Sequence, residues 1–172
     1  MCIRDSSKRP EVVNQRKRFG DWEGDTMVGR QHQGRLVTHV ERKSRYLLAG
    51  KACDGTAASF NQTSQSLFAQ IPKQFRKTLT LDNGSENADF QDIERCLNLK
   101  VYFAKPYASW ERGTNENTNG LIRRYFPKGT NFLNVTHKQL EKVVHLLNHR
   151  PRKCLNYRTP FEVFNSVTRG AL

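Results

Sequence analysis

Residues 22–51, WEGDTMVGRQHQGRLVTHVERKSRYLLAGK, decide the fold that the sequence predicts. Within them, three short runs are rich in strand-forming residues: Trp22–Val28, Arg35–Glu41 and Tyr46–Lys51. The second run alternates between two faces, as a strand does, and turn-forming residues such as Gly34 separate the runs. We therefore predict three consecutive antiparallel strands.

Beyond residue 51 the apolar period becomes helical, with short strands between the helices. The predicted elements are a helix capped by Thr56 and ending near Ile71, a strand at Thr78–Asp82, a helix over 88–98, a strand at Val101–Ala104, a helix that starts within 110–117 and carries Tyr125, and a helix with the capping box Thr136/Gln139 that ends before Pro151. The order βββ-α-β-α-β-α-α predicts an α/β, ribonuclease-H-like fold. Its mixed five-stranded sheet has three antiparallel strands, then two parallel ones, flanked by helices.

Charge gives the first indication of a partner. The 172 residues suit one domain, and 29 Lys and Arg against 16 Asp and Glu give a net charge of +13. Such a balance favours a polyanionic partner, most commonly nucleic acid. No run approaches the roughly 20 apolar residues that cross a bilayer, so no membrane is expected. The four cysteines form no CxxC pair, which argues against zinc and predicts reduced thiols packed as small hydrophobes.

Three segments of the chain have different characters. Residues 1–6 have no periodicity and join the rest abruptly, so we interpret them as a non-native assembly scar. Residues 7–20 are basic with little that is apolar, which is typical of a linker. Residues 21–168 form the predicted domain.

Carboxylates occur where three separate elements could meet. Alternation places Asp21, Glu23 and Asp25 on one face of the first strand, and Asp25, followed by apolar-leaning residues, is predicted to lie deepest. Asp82 stands at the carboxyl end of a strand, where ligand sites of open α/β sheets collect. Glu116 lies near the start of a helix.

Three such acids could hold two Mg²⁺ ions, which cleave phosphodiesters by clamping the attacking and leaving oxygens. Taken singly, each acid has an ordinary alternative. Asp25 could face solvent on a strand, Asp82 could belong to a simple turn, and Glu116 could be a first-turn helix acid. Glu86, on the loop that follows Asp82, competes with Glu116 for the third position.

Five blocks of sequence are together characteristic of one family. They are WEGD at 22–25, VERKSR at 40–45, LDNGSE at 81–86, PYASWERGTNENTNGL at 106–121, and LNHRPRKCL at 147–155 with Thr159-Pro160. They resemble the thirty family of bacterial insertion-sequence transposases, in the DDE integrase-core group. The 33 residues between Asp82 and Glu116 match the family spacing. Asn83 departs from the Gln that the family favours after the second Asp.

The resemblance implies a catalytic trio of Asp25, Asp82 and Glu116. These residues would hold two Mg²⁺ ions, for which Mn²⁺ can substitute, and perform DNA strand cleavage and strand transfer. The implied partners are transposon-end and target DNA and further copies of the chain, as a homodimer or higher multimer. The implied location is the bacterial cytoplasm, associated with the nucleoid. Family members also carry an N-terminal helix-turn-helix region, which we expect to be missing here.

Basic and amide side chains near the trio are candidates for DNA contact. They are Lys105, Arg112, Asn115, Asn119, Arg123 and Arg124. Several of them follow helical spacing and could present one DNA-facing stripe, although a solvated helix face would look the same. A second basic cluster, over 150–158, could touch DNA or merely close the domain. Two other functions stay open: a catalytically inactive DNA-binding fragment of a decayed transposase, and a plain ribonuclease H.

Overall fold

A computed structural model describes residues 5–84, 89–105 and 109–168. The strands are β1 (Asp21–Val28), β2 (Arg35–Glu41), β3 (Leu47–Ala52), β4 (Thr78–Leu81) and β5 (Lys100–Phe103). The helices are α1 (Glu11–Asn14), α2 (Ala57–Ala69), α3 (Phe90–Leu97), α4 (Gly113–Ile122), α5 (His137–Asn148) and α6 (Pro160–Thr168). A 3-10 turn at Ser109–Arg112 leads into α4.

The five strands form one mixed sheet in the order β3-β2-β1-β4-β5. Strands β1, β2 and β3 are antiparallel neighbours, whereas β4 and β5 run parallel to β1. The predicted ribonuclease-H-like sheet is thereby confirmed. In this register Glu23 of β1 lies opposite Thr80 of β4. Asp25 and Asp82 each follow two residues later in the chain. Asp82, directly after β4, therefore comes beside Asp25 in the middle of the central strand.

Each face of the sheet packs against its own set of helices. On one face Trp22 is fully buried, lies edge-on to Phe68 of α2 at 5.0 Å, and donates its indole N–H to the backbone oxygen of Phe75. On the other face a second cluster joins Met27 and Val40 to α4 and α5. Because successive residues of β1 point to opposite faces, the acids of this strand share the α4 face with Met27.

Local signals place most helix boundaries correctly. The Thr56 hydroxyl caps α2 by accepting the Ser59 N–H, and Thr136 and Gln139 form the predicted capping box of α5. The prediction that Tyr125 lies on α4 is wrong, because this helix ends at Ile122. Pro127 follows shortly after, and a residue that precedes proline is disfavoured in helical conformation.

The structure contains features that the pattern did not predict. Helix α6 begins at Pro160, with Thr159 and Glu162 exchanging side-chain-to-backbone hydrogen bonds as in a capping box. Within the basic segment over 7–20, Val13 is fully buried. Three cysteines, Cys53, Cys96 and Cys154, are free but exposed, so their prediction as packed hydrophobes is wrong. Across the residues that the structure covers, no helix has the length and apolarity needed to span a membrane.

Candidate active site

The three acids of β1 share one face but differ in depth. Asp21 and Glu23 are completely buried, whereas the side chain of Asp25 retains 27% of its exposure. The prediction that Asp25 lies deepest is therefore wrong. Asp21 is compensated by a salt bridge to Arg18 at 2.8 Å and a hydrogen bond from the Thr78 hydroxyl at 2.7 Å. Of the three, Asp25 alone is open to solvent and to a ligand.

Asp25 and Asp82 meet at a single guanidinium group. Arg112, in the turn before α4, places Nη1 3.3 Å from Oδ1 of Asp25 and Nη2 3.4 Å from Oδ2 of Asp82. One cation thus spans carboxylates that are 57 positions apart in the sequence. The sequence predicted Arg112 only as a DNA contact and did not predict its position between the two acids.

The electrostatics of Asp25 reflect this position. Burial raises the pKa of its carboxyl above the ordinary value, and the nearby charge of Asp82 raises it further. The guanidinium of Arg112 opposes both effects by favouring the ionised form. A cation at this point therefore relieves the repulsion between two acids that the fold forces together.

Helix α4 is fastened to β1 by buried polar groups. The backbone N–H of Asn115 donates to Oε2 of Glu23 at 2.8 Å, and its side-chain amide donates to the backbone oxygen of Glu23 at 3.2 Å. Oε1 of Glu23 lies 3.0 Å from Nη1 of Arg42, whose side chain is 4% exposed. Burial lowers the pKa of Arg42 to about 10, and the charge of Glu23 counteracts this lowering.

One turn further along α4, Asn119 reaches the candidate site. Its amide nitrogen donates to Oδ2 of Asp25 at 2.8 Å, and its amide oxygen accepts from the Thr38 hydroxyl at 3.0 Å. Asp25 is thus held by Arg112 on one oxygen and by Asn119 on the other. Sequence reasoning included Asn119 as a DNA contact and missed this orienting contact.

Glu116 lies on the same helix, α4, but does not form a group with the two aspartates. It is exposed and lies three residues before Asn119 on α4, which is the spacing of neighbours on one helix face. Among the residues described, no three His, Cys, Asp or Glu side chains form a group that could hold a metal ion. The competing acid, Glu86, falls outside those residues. The structure therefore brings Asp25 and Asp82 together at Arg112, whereas Glu116, the third member of the predicted trio, lies on the exposed face of α4.

The predicted DNA contacts divide by exposure. Lys105 and Arg124 are exposed, as a contact requires. Arg123 is half-buried, donates to the backbone oxygen of Val28 at 3.1 Å, and lies over the Phe132 ring. Asn115 is completely buried, which is incompatible with direct DNA contact. Its role follows from the bonds described above, which anchor α4.

The order of the strands in the sheet can be compared with solved structures. The structure aligns with an integrase chain in the cryo-EM structure of the simian T-cell lymphotropic virus intasome in complex with PP2A regulatory subunit B56 gamma, with a TM-score of 0.67 and 21% sequence identity. The alignment covers 84% of this chain and 54% of the viral one. The fold is therefore the ribonuclease-H-like fold of integrases.

Sequence comparisons find similar proteins among bacterial transposases. The chain is 43% identical over 163 residues to the transposase of insertion sequence element IS4351 from Bacteroides fragilis, covering 95% of this chain and 50% of that protein. It is 41% identical over 163 residues to the InsI transposase of IS30A from Escherichia coli K12, covering 95% of this chain and 42% of that protein. Over the aligned residues, the chain is similar to transposases of the IS30 family.

A third transposase has a similar level of identity. The IS1086 transposase of Cupriavidus metallidurans is 42% identical over 163 residues, covering 92% of this chain and 47% of that protein. No protein-family profile matches the sequence. The chain spans about half the length of the relatives that it matches.

Proposed function

We propose that this chain is the catalytic domain of a DDE transposase, which cleaves and joins DNA strands with Asp25, Asp82 and Glu116 as metal-binding carboxylates. The observation that carries the proposal is the shared cation of Asp25 and Asp82, each within 3.4 Å of Arg112. Two carboxylates directed at one positive charge supply oxygen ligands of the kind that bind a divalent cation. The family of the chain supports the same chemistry.

The donor set fits Mg²⁺. Both aspartates offer hard carboxylate oxygens, both remain partly exposed, and one charged group already lies between them. Glu116 would complete the set after a small rearrangement of the turn before α4, because it lies one turn before Asn119, which touches Asp25, on the same face of α4. Bound there, Mg²⁺ or its substitute Mn²⁺ would activate the attacking oxygen and stabilise the charge on the phosphate.

The protein residues have defined tasks in this proposal. Asn119 fixes Oδ2 of Asp25, which leaves Oδ1 directed at the site. Arg112 keeps the two acids together in the metal-free chain and, once displaced, can donate its planar guanidinium to a DNA phosphate. Glu23 and Asn115 hold the first turn of α4, and thereby Glu116, at a constant distance from β1.

DNA is the proposed substrate, in accordance with the net charge of +13. Lys105 and Arg124 are exposed basic residues and would contact phosphates. We further propose that the chain acts as a homodimer or higher multimer on transposon ends and target DNA. Its proposed location is the bacterial cytoplasm, in association with the nucleoid.

A nicking assay tests the proposal. The chain is incubated with supercoiled DNA that carries the element's ends, with MgCl₂, with MnCl₂ or with EDTA. We expect metal-dependent nicking that Asp25→Asn, Asp82→Asn and Glu116→Gln each reduce by at least about a hundredfold, since one missing electrostatic group typically costs that much. Asp92→Asn is the matched control, because Asp92 is an exposed acid of α3 that pairs with Arg95.

Binding of the same DNA is measured in parallel by fluorescence anisotropy. All four variants should bind DNA about as well as the parent chain does. Nicking that persists in an Asp25 or Asp82 variant would remove that residue from the site. DNA binding without any metal-dependent nicking would instead favour a catalytically inactive DNA-binding fragment, and preferential cutting of RNA in hybrids would favour a ribonuclease H.

A further inference from the structure

A second basic site lies on the flank of α4, outside the candidate active site. It is a cavity of about 330 Å³ whose walls carry Arg16, Arg45 and Arg152, together with Asn117 and Thr118 of α4 and the thiol of Cys154. We call it the arginine pocket, after its three arginines. They come from three distant parts of the chain: the segment before β1, the turn between β2 and β3, and the segment after α5.

The arginine pocket concentrates positive charge without a counter-charge in its walls. No acidic residue is among the described residues that line it. Burial, and secondarily the charge of Arg16, lowers the pKa of Arg45. Burial, and secondarily the charge of Arg150, lowers the pKa of Arg152. Folding therefore brings guanidinium groups together against their mutual repulsion, and an anion would offset this cost.

Hydrogen bonding points in the same direction. Nη1 of Arg45 donates to the Thr114 hydroxyl at 2.6 Å, and Nη2 of Arg152 donates to the backbone oxygen of Leu147 at 3.2 Å. These contacts orient both guanidinium groups but use only part of their donors. The remaining N–H groups of the two guanidinium groups are the donors that an anion bound in the pocket would use.

We propose that the arginine pocket binds a phosphodiester group of a DNA strand. Planar guanidinium groups match the geometry of phosphate oxygens. Three guanidinium groups carry more positive charge than one carboxylate would neutralise. Asn117, in the pocket wall, directly follows Glu116 in α4, so the DNA strand held here would pass along the helix that carries the third proposed ligand. The inference rests on the proposed function, because it takes DNA as the substrate.

Cys154 provides a direct probe, because its exposed thiol is part of the pocket wall. The unmodified chain is alkylated with N-ethylmaleimide in EDTA, with or without a 30-base-pair duplex, and each cysteine is quantified by peptide mass spectrometry. We expect DNA to slow alkylation of Cys154 at least about fivefold, and 0.5 M NaCl to remove this protection. Cys53, exposed on a separate part of the surface, is the internal control and should react equally in both samples.

Substitutions test the arginines themselves. Arg45→Gln and Arg152→Gln should each weaken binding of the duplex about tenfold at low salt and reduce the slope of log affinity against log salt by about one. Arg95→Gln is the matched control, since Arg95 is an exposed arginine of α3 and its loss removes the same charge. The footprint on the unmodified chain remains decisive if a pocket variant fails to fold.

Several outcomes would overturn the inference. One is equal alkylation of Cys154 with and without DNA, and another is an affinity loss for Arg95→Gln as large as that for Arg152→Gln. Protection by millimolar inorganic phosphate, but not by DNA, would reassign the pocket to a small anion. Because the footprint needs no metal and no cleavage, it is separable from the proposed function. Protected Cys154 in a chain that does not nick DNA would uphold the pocket and refute the catalytic proposal alone.

Discussion

Replacing Glu23 by alanine removes the group that fastens α4 to the central strand. Two buried partners would lose their compensation. The guanidinium of Arg42, only 4% exposed, would remain as an uncompensated charge, which typically costs 3–5 kcal/mol. The buried N–H of Asn115 would lose its acceptor, which typically costs 1–3 kcal/mol. Since the two losses overlap, we expect the free energy of unfolding to fall by about 4 kcal/mol.

Urea unfolding followed by tryptophan fluorescence measures this loss. Glu23→Gln keeps an oxygen acceptor for Asn115 but removes the charge, so it should lose about half as much. Adding Arg42→Met to Glu23→Ala should restore at least about 1 kcal/mol relative to the sum of the single changes, because the uncompensated charge is then absent. Glu162→Gln, at an exposed helix start, is the control. A loss below about 1 kcal/mol for Glu23→Ala would refute the anchoring role.

Three further predictions concern neighbouring residues. Burial lowers the pKa of His39 from 6.5 to about 3, so the free energy of unfolding has its full value above pH 6.5 and decreases as the pH falls. At pH 5 the loss is about 2 kcal/mol. His39→Gln should abolish this pH dependence in urea titrations. A methyl group at Gly24 would lie 2.6 Å from Leu81 and 2.8 Å from His39, so Gly24→Ala should lower the free energy of unfolding by about 2 kcal/mol in the same assay. Arg112→Gln leaves the two site aspartates without their shared cation, so 10 mM MgCl₂ should raise its melting temperature more than that of the parent chain or of the control Arg124→Gln; equal shifts would contradict the shared-cation interpretation.

Much of the fold follows from periodicity in the sequence. The runs of strand-forming residues and the turn residues between them indicate three antiparallel strands, and β2, in the interior of the sheet, is buried on both faces. Asp82 was predictable as a site residue because ligand sites of open α/β sheets collect at the carboxyl ends of strands. The pairing of Asp82 with Asp25, which lies within β1, came from the family resemblance. The capping box Thr159/Glu162 is an equally readable signal for the start of α6.

The buried polar groups could not be predicted in this way. A strand that carries Asp21, Glu23 and Asp25 suggests a solvent-facing edge, since carboxylates are rarely buried unless paired. Whether they are paired depends on residues far away in the sequence, such as Arg42 and, 92 positions from Glu23, Asn115. Only the folded arrangement of β1, β2 and α4 brings these groups together. For the same reason the sequence predicts Arg112 and Asn119 as DNA contacts and gives no sign that they are partners of Asp25.

The central claim is that Asp25 and Asp82 form one cation site in which Arg112 holds the place of a metal. Anomalous diffraction from crystals of the chain soaked in MnCl₂ tests it most directly. The account predicts a manganese peak coordinated by both aspartates, with the Arg112 guanidinium displaced and Glu116 drawn toward the metal. A peak elsewhere, or none between the two aspartates while Arg112 keeps its contacts at full soak concentration, would contradict it.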